Sequence, residues 1–175
     1  RYTTEDGQDG LALRFFALAK ETGAYTIKDG VTALGSNSMQ KAQFTGVTIP
    51  KSVRSVNSFA FSNSNIESVT FAGSPSFGTE FETGATPGQG AFNSCESLRE
   101  IKNFPNVDAL PAQLFSTAKS LETFTIPETV TSIGNSAFSN TAITSITIPA
   151  GVKEMGNALF STDASTVEGE EPTRT

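Results

Sequence analysis

Short runs in which apolar and polar residues alternate recur along most of the chain. Residues 121–149 read LETFTIPETVTSIGNSAFSNTAITSITIP, and the end of this stretch restates its beginning. The apolar positions of each run are mostly Ile, Val or Phe, and the positions between them are often Thr or Ser. This period of two is typical of a strand that is buried on one side. The pattern therefore predicts short strands joined by corners and tight turns.

An Ala-Phe pair, or its counterpart, marks each copy of the repeat. The separations between successive marks are 22, 31, 23, 23 and 22 residues, by subtraction of their numbers. A period of about 20–50 residues is typical of a solenoid, in which each unit packs only on its neighbours. We therefore expect five to six repeats stacked in one array over residues 25–160. The marks are Met39, Phe61, Phe92, Phe115, Phe138 and Phe160.

Each repeat is predicted to contain two strands and one turn. The first strand precedes the mark, as at Val130 and Ile133, and the second follows it, as at Phe124 and Ile126. The Ala-Phe pair lies between them and predicts a tight turn or a single helical turn. Proline has no N–H to offer to a ladder, so it is typical of a strand end. The prolines at the end of the second strand are Pro50, Pro105, Pro127 and Pro149.

Residues 1–24 do not follow the repeat and are predicted to cap the exposed end of the array, as solenoids require. Asp9 as an N-cap, the helix formers of 11–20 and Gly23 as a stop indicate a short helix. A strand is the alternative, because Leu11 and Leu13 would then share one side.

The wide spacing of 31 residues locates an insertion at 72–90, which is rich in Gly, Pro, Ser and Thr. The insertion replaces the usual first strand, and Phe77 and Phe81 are expected to substitute partly for it. Residues 161–175 are polar and acidic, which indicates a frayed tail or the cut edge of a longer array. The chain begins at Arg1 and shows no targeting segment, so we expect a mature or trimmed form.

Composition narrows the classes of partner. The net charge of −6 argues against a nucleic-acid backbone or an anionic membrane surface as partner. No run approaches the roughly 18 apolar residues that a membrane span needs. Fourteen Phe against two Tyr and no Trp favour a buried row of Phe over an aromatic binding surface.

The residue types needed for catalysis are sparse. The chain has no His, the usual proton carrier near neutral pH. No Gly-rich phosphate loop and no metal-spaced Cys/His cluster is present, so we expect neither an enzyme nor a cofactor. Cys95 corresponds to Ser64, Ala118 and Thr141 in other repeats, all small, which predicts a tight buried turn rather than a reactive thiol.

The segment from Ile126 to Phe138, IPETVTSIGNSAF, and the segment from Ala91 to Ile101, AFNSCESLREI, resemble the BspA-like leucine-rich repeats of bacterial surface and secreted proteins. The resemblance covers about 25–160 and implies a leucine-rich-repeat solenoid that is right-handed and mainly β, with short helical or 3-10 turns. It also implies an extracellular or outer-surface location, with some members binding host matrix proteins. Met39 in place of Phe and the insertion are departures from the pattern.

Two surfaces are candidates for ligand binding. The first is the solvent-facing row of the second strands, beside Gly46, Ser68, Glu100, Thr123 and Ser145. It suits a protein, peptide or glycan, with an ice-binding Thr ladder as a variant; the alternative is that Thr simply suits a solvated strand. The row consists of Thr26, Thr48, Thr70, Lys102, Thr125 and Thr147.

The second surface is the insertion, because loops carry recognition more often than the scaffold beneath them. Its candidate residues are Phe77, Glu80, Phe81 and Glu82; the two carboxylates alone are a weak metal signal. Together with the resemblance, which implies a host matrix protein or glycan as partner, these features favour a non-enzymatic extracellular binding or adhesion module. The alternatives are a structural spacer of a larger surface protein and a monomer that self-associates weakly through its C-terminal end.

Overall fold

The computed structural model describes residues 22–78 and 88–162, together with the backbone of 2–3 and 9–13. These residues form a β-solenoid of about six turns with parallel strands and no helix. Two columns of strands and one column of turns run along the array. We number the repeats one to six by their marks, from Met39 to Phe160.

The upstream column contains the strands that precede the marks. These strands are β1 (Tyr2–Thr3), β2 (Asp9–Leu13), β4 (Val31–Leu34), β6 (Ser55–Val56), β8 (Ser76–Phe77), β10 (Ala109–Leu110), β11 (Ser132–Ile133) and β12 (Glu154–Met155). β2, β4, β6 and β8 pair in parallel, β1 pairs with β2 antiparallel, and β10, β11 and β12 form a separate parallel sheet.

The downstream column contains the strands that follow the turns. These strands are β3 (Ala24–Thr26), β5 (Gly46–Ile49), β7 (Ser68–Phe71) and β9 (Glu100–Lys102). They form a four-stranded parallel sheet in the order β3-β5-β7-β9, and the corresponding segments 122–126 and 144–148 of the next two repeats lie outside it.

The turn column is the continuous element of the array. At each junction between repeats, three backbone N–H groups donate to carbonyl groups of the next turn. Two positions in each of the first five turns, four residues apart, are left-handed, with φ between 54° and 63°. Between repeats three and four the bonds are Gly90 to Ala112 (2.8 Å), Phe92 to Leu114 (3.1 Å) and Ser94 to Ser116 (2.8 Å).

A stack of Phe rings follows the turns through the core. Phe61 and Phe92 are parallel with centroids 5.2 Å apart, and Phe92 stacks on Phe115 at 5.8 Å. The stack continues through Phe138 and Phe160, with separations of 6.0 and 5.6 Å. The buried Phe row and the tight turns expected from the sequence are therefore confirmed.

The helix predicted for 11–20 is wrong where the structure describes this stretch. Asp9–Leu13 is a strand, and its Leu13 aligns with Leu34 of β4. Pairing with the exposed edge of β4 supplies ladder hydrogen bonds that a local helix would leave unmade, so tertiary context overrides the helix propensity. Residues 14–20 lie outside the described part of the chain.

Both columns of strands are interrupted between repeats three and four. In the upstream column, Asn57 and Gly78 donate their N–H groups to the preceding strand at 3.0 and 2.8 Å. The equivalent residue of repeat four is Pro111, which has no N–H to donate. The array is held across this junction by the turn column and the Phe stack.

The C-terminal end of the described array leaves apolar side chains open to solvent. Met155 is 61% exposed, whereas its counterpart Ile133 is 2% exposed. Phe160 is 44% exposed and Ile148 36%. Within residues 22–78 and 88–162, no further repeat covers these side chains.

Candidate functional site

The predicted polar row is a continuous surface over four hydrogen-bonded strands. Thr26 aligns with Thr48, Thr48 with Thr70, and Thr70 with Lys102 in the parallel register. The residue that precedes the row on each strand points inward, because Val47 beside Thr48 and Val69 beside Thr70 are buried. Alternation along each strand therefore presents one polar residue per repeat at the same height.

Thr125 and Thr147 continue the row but do not belong to the sheet. Both are exposed, and both lie in segments that form no backbone hydrogen bond with the preceding repeat in the described chain. By contrast, the Glu67 N–H donates to the Thr45 carbonyl at 2.6 Å and the Arg99 N–H donates to the Glu67 carbonyl at 2.8 Å. The ladder thus ends at β9.

One additional residue lies where the ladder ends. Phe71 follows Val69 after two positions, whereas Phe104, which lies in the same packed layer, follows Ile101 after three. The intervening Asn103 is left-handed, with φ of 54°. An extra residue in one strand bends it and stops its pairing, as in a β-bulge. Phe104 then turns back into the core and packs against Phe71 at 5.6 Å.

A cleft of about 420 Å³ opens between β9 and the next repeat. We call it the downstream cleft. Its volume is within the range of about 300–1,000 Å³ that is typical of ligand sites. Its lining residues are Arg99, Glu100, Ile101, Asn103, Phe104, Asn106, Thr123, Phe124, Thr125 and Pro127. A second cleft of about 310 Å³ separates residues 123–128 from 145–147.

The downstream cleft combines an apolar base with a polar mouth. Phe104 and Phe124 are half-buried and meet edge to face at 5.0 Å. At the mouth, Lys102 pairs with Glu100 at 3.0 Å, and both side chains are more than half exposed, so the pair contributes little stability. Arg99 is exposed and forms no ion pair with any residue that the structure describes.

The candidate residues of the insertion divide into two groups. Phe77 is half-buried in β8, in register with Val56, and stacks on Phe104 at 5.4 Å. It therefore replaces the usual strand residue, as the sequence predicts. Glu80, Phe81 and Glu82 lie outside the described residues. A Cβ on Gly88 would lie 2.8 Å from the Gly78 nitrogen, so Gly78 and Gly88 lie next to each other.

Cys95 lies in a tight, fully buried turn, as the sequence predicts. Its thiol donates to the Phe61 carbonyl at 3.1 Å, and the Ser64 hydroxyl is 3.4 Å from Sγ. Burial raises the pKa of the Cys95 thiol from 9.0 to about 11, against a smaller lowering by the hydrogen bond with Ser64. Such a thiol is a poor nucleophile near neutral pH.

The described residues contain no cluster of three or more His, Cys, Asp or Glu side chains with metal-binding geometry. Within the same part of the chain, no helix is long and apolar enough to cross a membrane.

Sequence reasoning found the polar row and missed the cleft at its end. Arg99, Asn103, Phe104 and Phe124 were not among the predicted site residues, although the spacing of three between Ile101 and Phe104 is visible in the sequence. The equivalent spacing in the other repeats is two residues, so a spacing of three indicates a bulge.

The profile of the BspA-type leucine-rich repeat region matches six copies in the chain, over residues 14–84 and 33–167. No curated protein sequence matches the chain significantly.

Solved structures of three bacterial proteins show the same fold. A leucine-rich cell surface protein of Faecalibacterium prausnitzii A2-165 is 24% identical, with a TM-score of 0.60 over 91% of this chain and 49% of that one. A leucine-rich repeat protein of Bacteroides ovatus is 26% identical, with a TM-score of 0.53 over 91% and 36%. The pneumococcal vaccine antigen PcpA is 20% identical, with a TM-score of 0.53 over 87% and 41%. The chain spans about half or less of each.

Proposed function

Because the chain belongs to the BspA-type leucine-rich repeat family, we propose that it is a non-enzymatic binding module displayed outside a bacterial cell. Its ligand is a protein or glycan, such as one of a host extracellular matrix. The family resemblance supports the location, and so does the description of the Faecalibacterium prausnitzii relative as a cell surface protein.

The observation that carries this proposal is the aligned polar row of the downstream column. Four strands hold Thr26, Thr48, Thr70 and Lys102 in register without a gap. The backbone beneath the row is fixed by ladder hydrogen bonds, so its side chains are positioned before a ligand arrives. Preorganisation of this kind reduces the entropy that binding costs.

A structural spacer is the second candidate function. The turn column supports it, because its hydrogen bonds join all six repeats into one continuous element. A spacer needs this rigidity and has no need of a ligand surface. The two functions therefore differ in whether the isolated chain binds anything.

Surface binding of the purified chain to extracellular matrix proteins and to a glycan array tests the proposal. We expect saturable binding that is lost in Thr70→Lys and retained in Thr131→Lys, which adds the same charge beside the upstream column. A variant lacking 79–87 tests the insertion separately, and it joins Gly78 to the adjacent Gly88. A folded chain that binds none of these ligands would contradict the proposal and favour the spacer.

A further inference from the structure

The outer edge of β9 carries backbone groups that no strand of the described residues uses. In a parallel ladder, the N–H and carbonyl groups of one residue point to the same neighbouring strand, and those of the next residue point to the strand on the other side. The Glu100 N–H donates to the Glu67 carbonyl of the preceding repeat at 3.1 Å. The N–H and carbonyl groups of Ile101 therefore face away from β7, into the downstream cleft.

The opposite wall of the cleft has the same property. Residues 122–125 make no backbone hydrogen bond, within the described chain, to the repeat on either side. Strand edges in this state are templates for pairing with a further strand. Here the outer edge of β9 and the unpaired segment 122–125 face each other across a cleft of about 420 Å³.

The side chains around the cleft indicate what kind of strand fits. Phe104 and Phe124 form a half-buried apolar base. The Arg99 side chain, exposed at the mouth, has no carboxylate partner in the described chain. An apolar residue would bury against the two rings, and a carboxylate at the start of the strand would complement the guanidinium.

We propose that the downstream cleft binds an extended polypeptide by strand addition to β9, with an apolar side chain on Phe104 and Phe124 and a carboxylate at Arg99. This inference rests on the proposed binding function and specifies the partner as a peptide segment rather than a glycan. Main-chain hydrogen bonds supply affinity in this mode, and side-chain pockets supply selectivity. Sugars lack the regular spacing of donors and acceptors that a strand edge matches.

The chain itself provides a probe with the required chemistry. A fluorescein-labelled peptide of residues 64–73, SNIESVTFAG, contains β7, the natural partner of the other edge of β9. Its Glu67 supplies the carboxylate, and its Val69 and Phe71 supply apolar side chains. We expect saturable binding to the intact chain by fluorescence anisotropy. The same peptide methylated on the nitrogens of Ser68 and Thr70 loses the N–H groups on one edge, and we expect its binding to be at least about tenfold weaker.

Deletion of Asn103 provides the decisive variant. Without the extra residue, β9 regains the spacing of β5 and β7, and we expect the ladder to extend to 122–126 and close the cleft. Asn103→Gly is its matched control, because glycine adopts the same left-handed conformation and keeps the bulge. Arg99→Glu is expected to weaken peptide binding about two- to fivefold, as loss of an exposed charge pair does.

Peptide binding that survives in Asn103→Gly and disappears on deletion supports strand addition. Unchanged binding after the deletion in a folded protein overturns it, and so does a failure of the intact chain to bind the peptide. If the deletion variant does not fold, two other comparisons test the inference: binding of the methylated against the unmethylated peptide, and binding of the peptide to Arg99→Glu against the intact chain. Equal binding of the methylated and unmethylated peptides overturns the inference. Glycan or matrix binding without peptide binding would leave the proposed function standing and remove only this refinement.

Discussion

Replacing Phe115 by Ala removes a fully buried ring from the middle of the Phe stack. Phe115 is completely buried and lies in the fourth repeat, next to the junction where both strand columns are interrupted. Its ring centroid is 4.9 Å from Phe124, 5.8 Å from Phe92 and 6.0 Å from Phe138. Truncation therefore leaves a cavity at a junction that the turn column and this stack bridge although both strand columns are interrupted there.

The expected loss follows from burial. Truncating a fully buried Phe to Ala typically costs about 3–5 kcal/mol, including the cavity term. We expect about 4 kcal/mol for Phe115→Ala, a large part of the roughly 5–15 kcal/mol that stabilises a typical domain. Phe160 occupies the same position two repeats later, is 44% exposed and contacts one ring of the described chain, that of Phe138. About half of the usual 1.5–3 kcal/mol burial term applies there, so we expect about 1 kcal/mol for Phe160→Ala.

Urea denaturation followed by far-UV circular dichroism measures both free energies of unfolding. In a repeat array, loss of a junction can also divide the transition, which would lower the apparent m-value of Phe115→Ala. A cost below about 2 kcal/mol for Phe115→Ala, or one equal to that of Phe160→Ala, would refute the role assigned to the stack.

Two further expectations concern single positions. Gly90→Ala should destabilise the protein by about 1–3 kcal/mol in the same denaturation assay, because its Cβ would lie 2.5 Å from a ring carbon of Phe59. The control Ser136→Ala, at a left-handed position that already carries a side chain, should change stability by less than about 0.5 kcal/mol; equal effects would exclude the steric cause. The free energy of unfolding should fall between pH 9 and about 11, where Cys95 ionises in the unfolded chain but stays protonated in the fold. At about 1.4 kcal/mol per pKa unit the loss approaches about 3 kcal/mol, and a Cys95→Ala variant that shows the same alkaline loss would contradict this assignment.

The register of the array was predictable because the same physical constraint acts in every repeat. Thr48 and Thr70 occupy one height because the buried Val47 and Val69 beside them occupy one height, and a shift by one residue would expose both valines. Phe77 was identifiable as a strand substitute for a similar reason: an aromatic residue at that spacing restores the buried layer despite the insertion.

The interruptions were harder to predict because each depends on a single residue in an otherwise regular pattern. Pro111 interrupts the upstream ladder because it lacks an N–H, and the additional residue Asn103 lies where the downstream ladder ends. Both residues are polar or turn-forming types that the repeat tolerates at corners, so the pattern of apolar positions does not reveal their effect on the ladders. The strand at Asp9–Leu13 was missed because its pairing with Val31–Leu34 outweighs the local preference for a helix.

Amide hydrogen exchange tests the end of the downstream ladder most directly. The amides of Glu67, Arg99, Glu122 and Thr144 occupy equivalent positions on exposed residues, and only the first two donate to a neighbouring repeat in the described structure. We expect Glu67 and Arg99 to exchange at least about tenfold more slowly than Glu122 and Thr144, which corresponds to about 1.4 kcal/mol of local opening free energy. Equal protection at all four amides would mean that the ladder continues beyond β9, and the cleft and the peptide site proposed within it would then not exist.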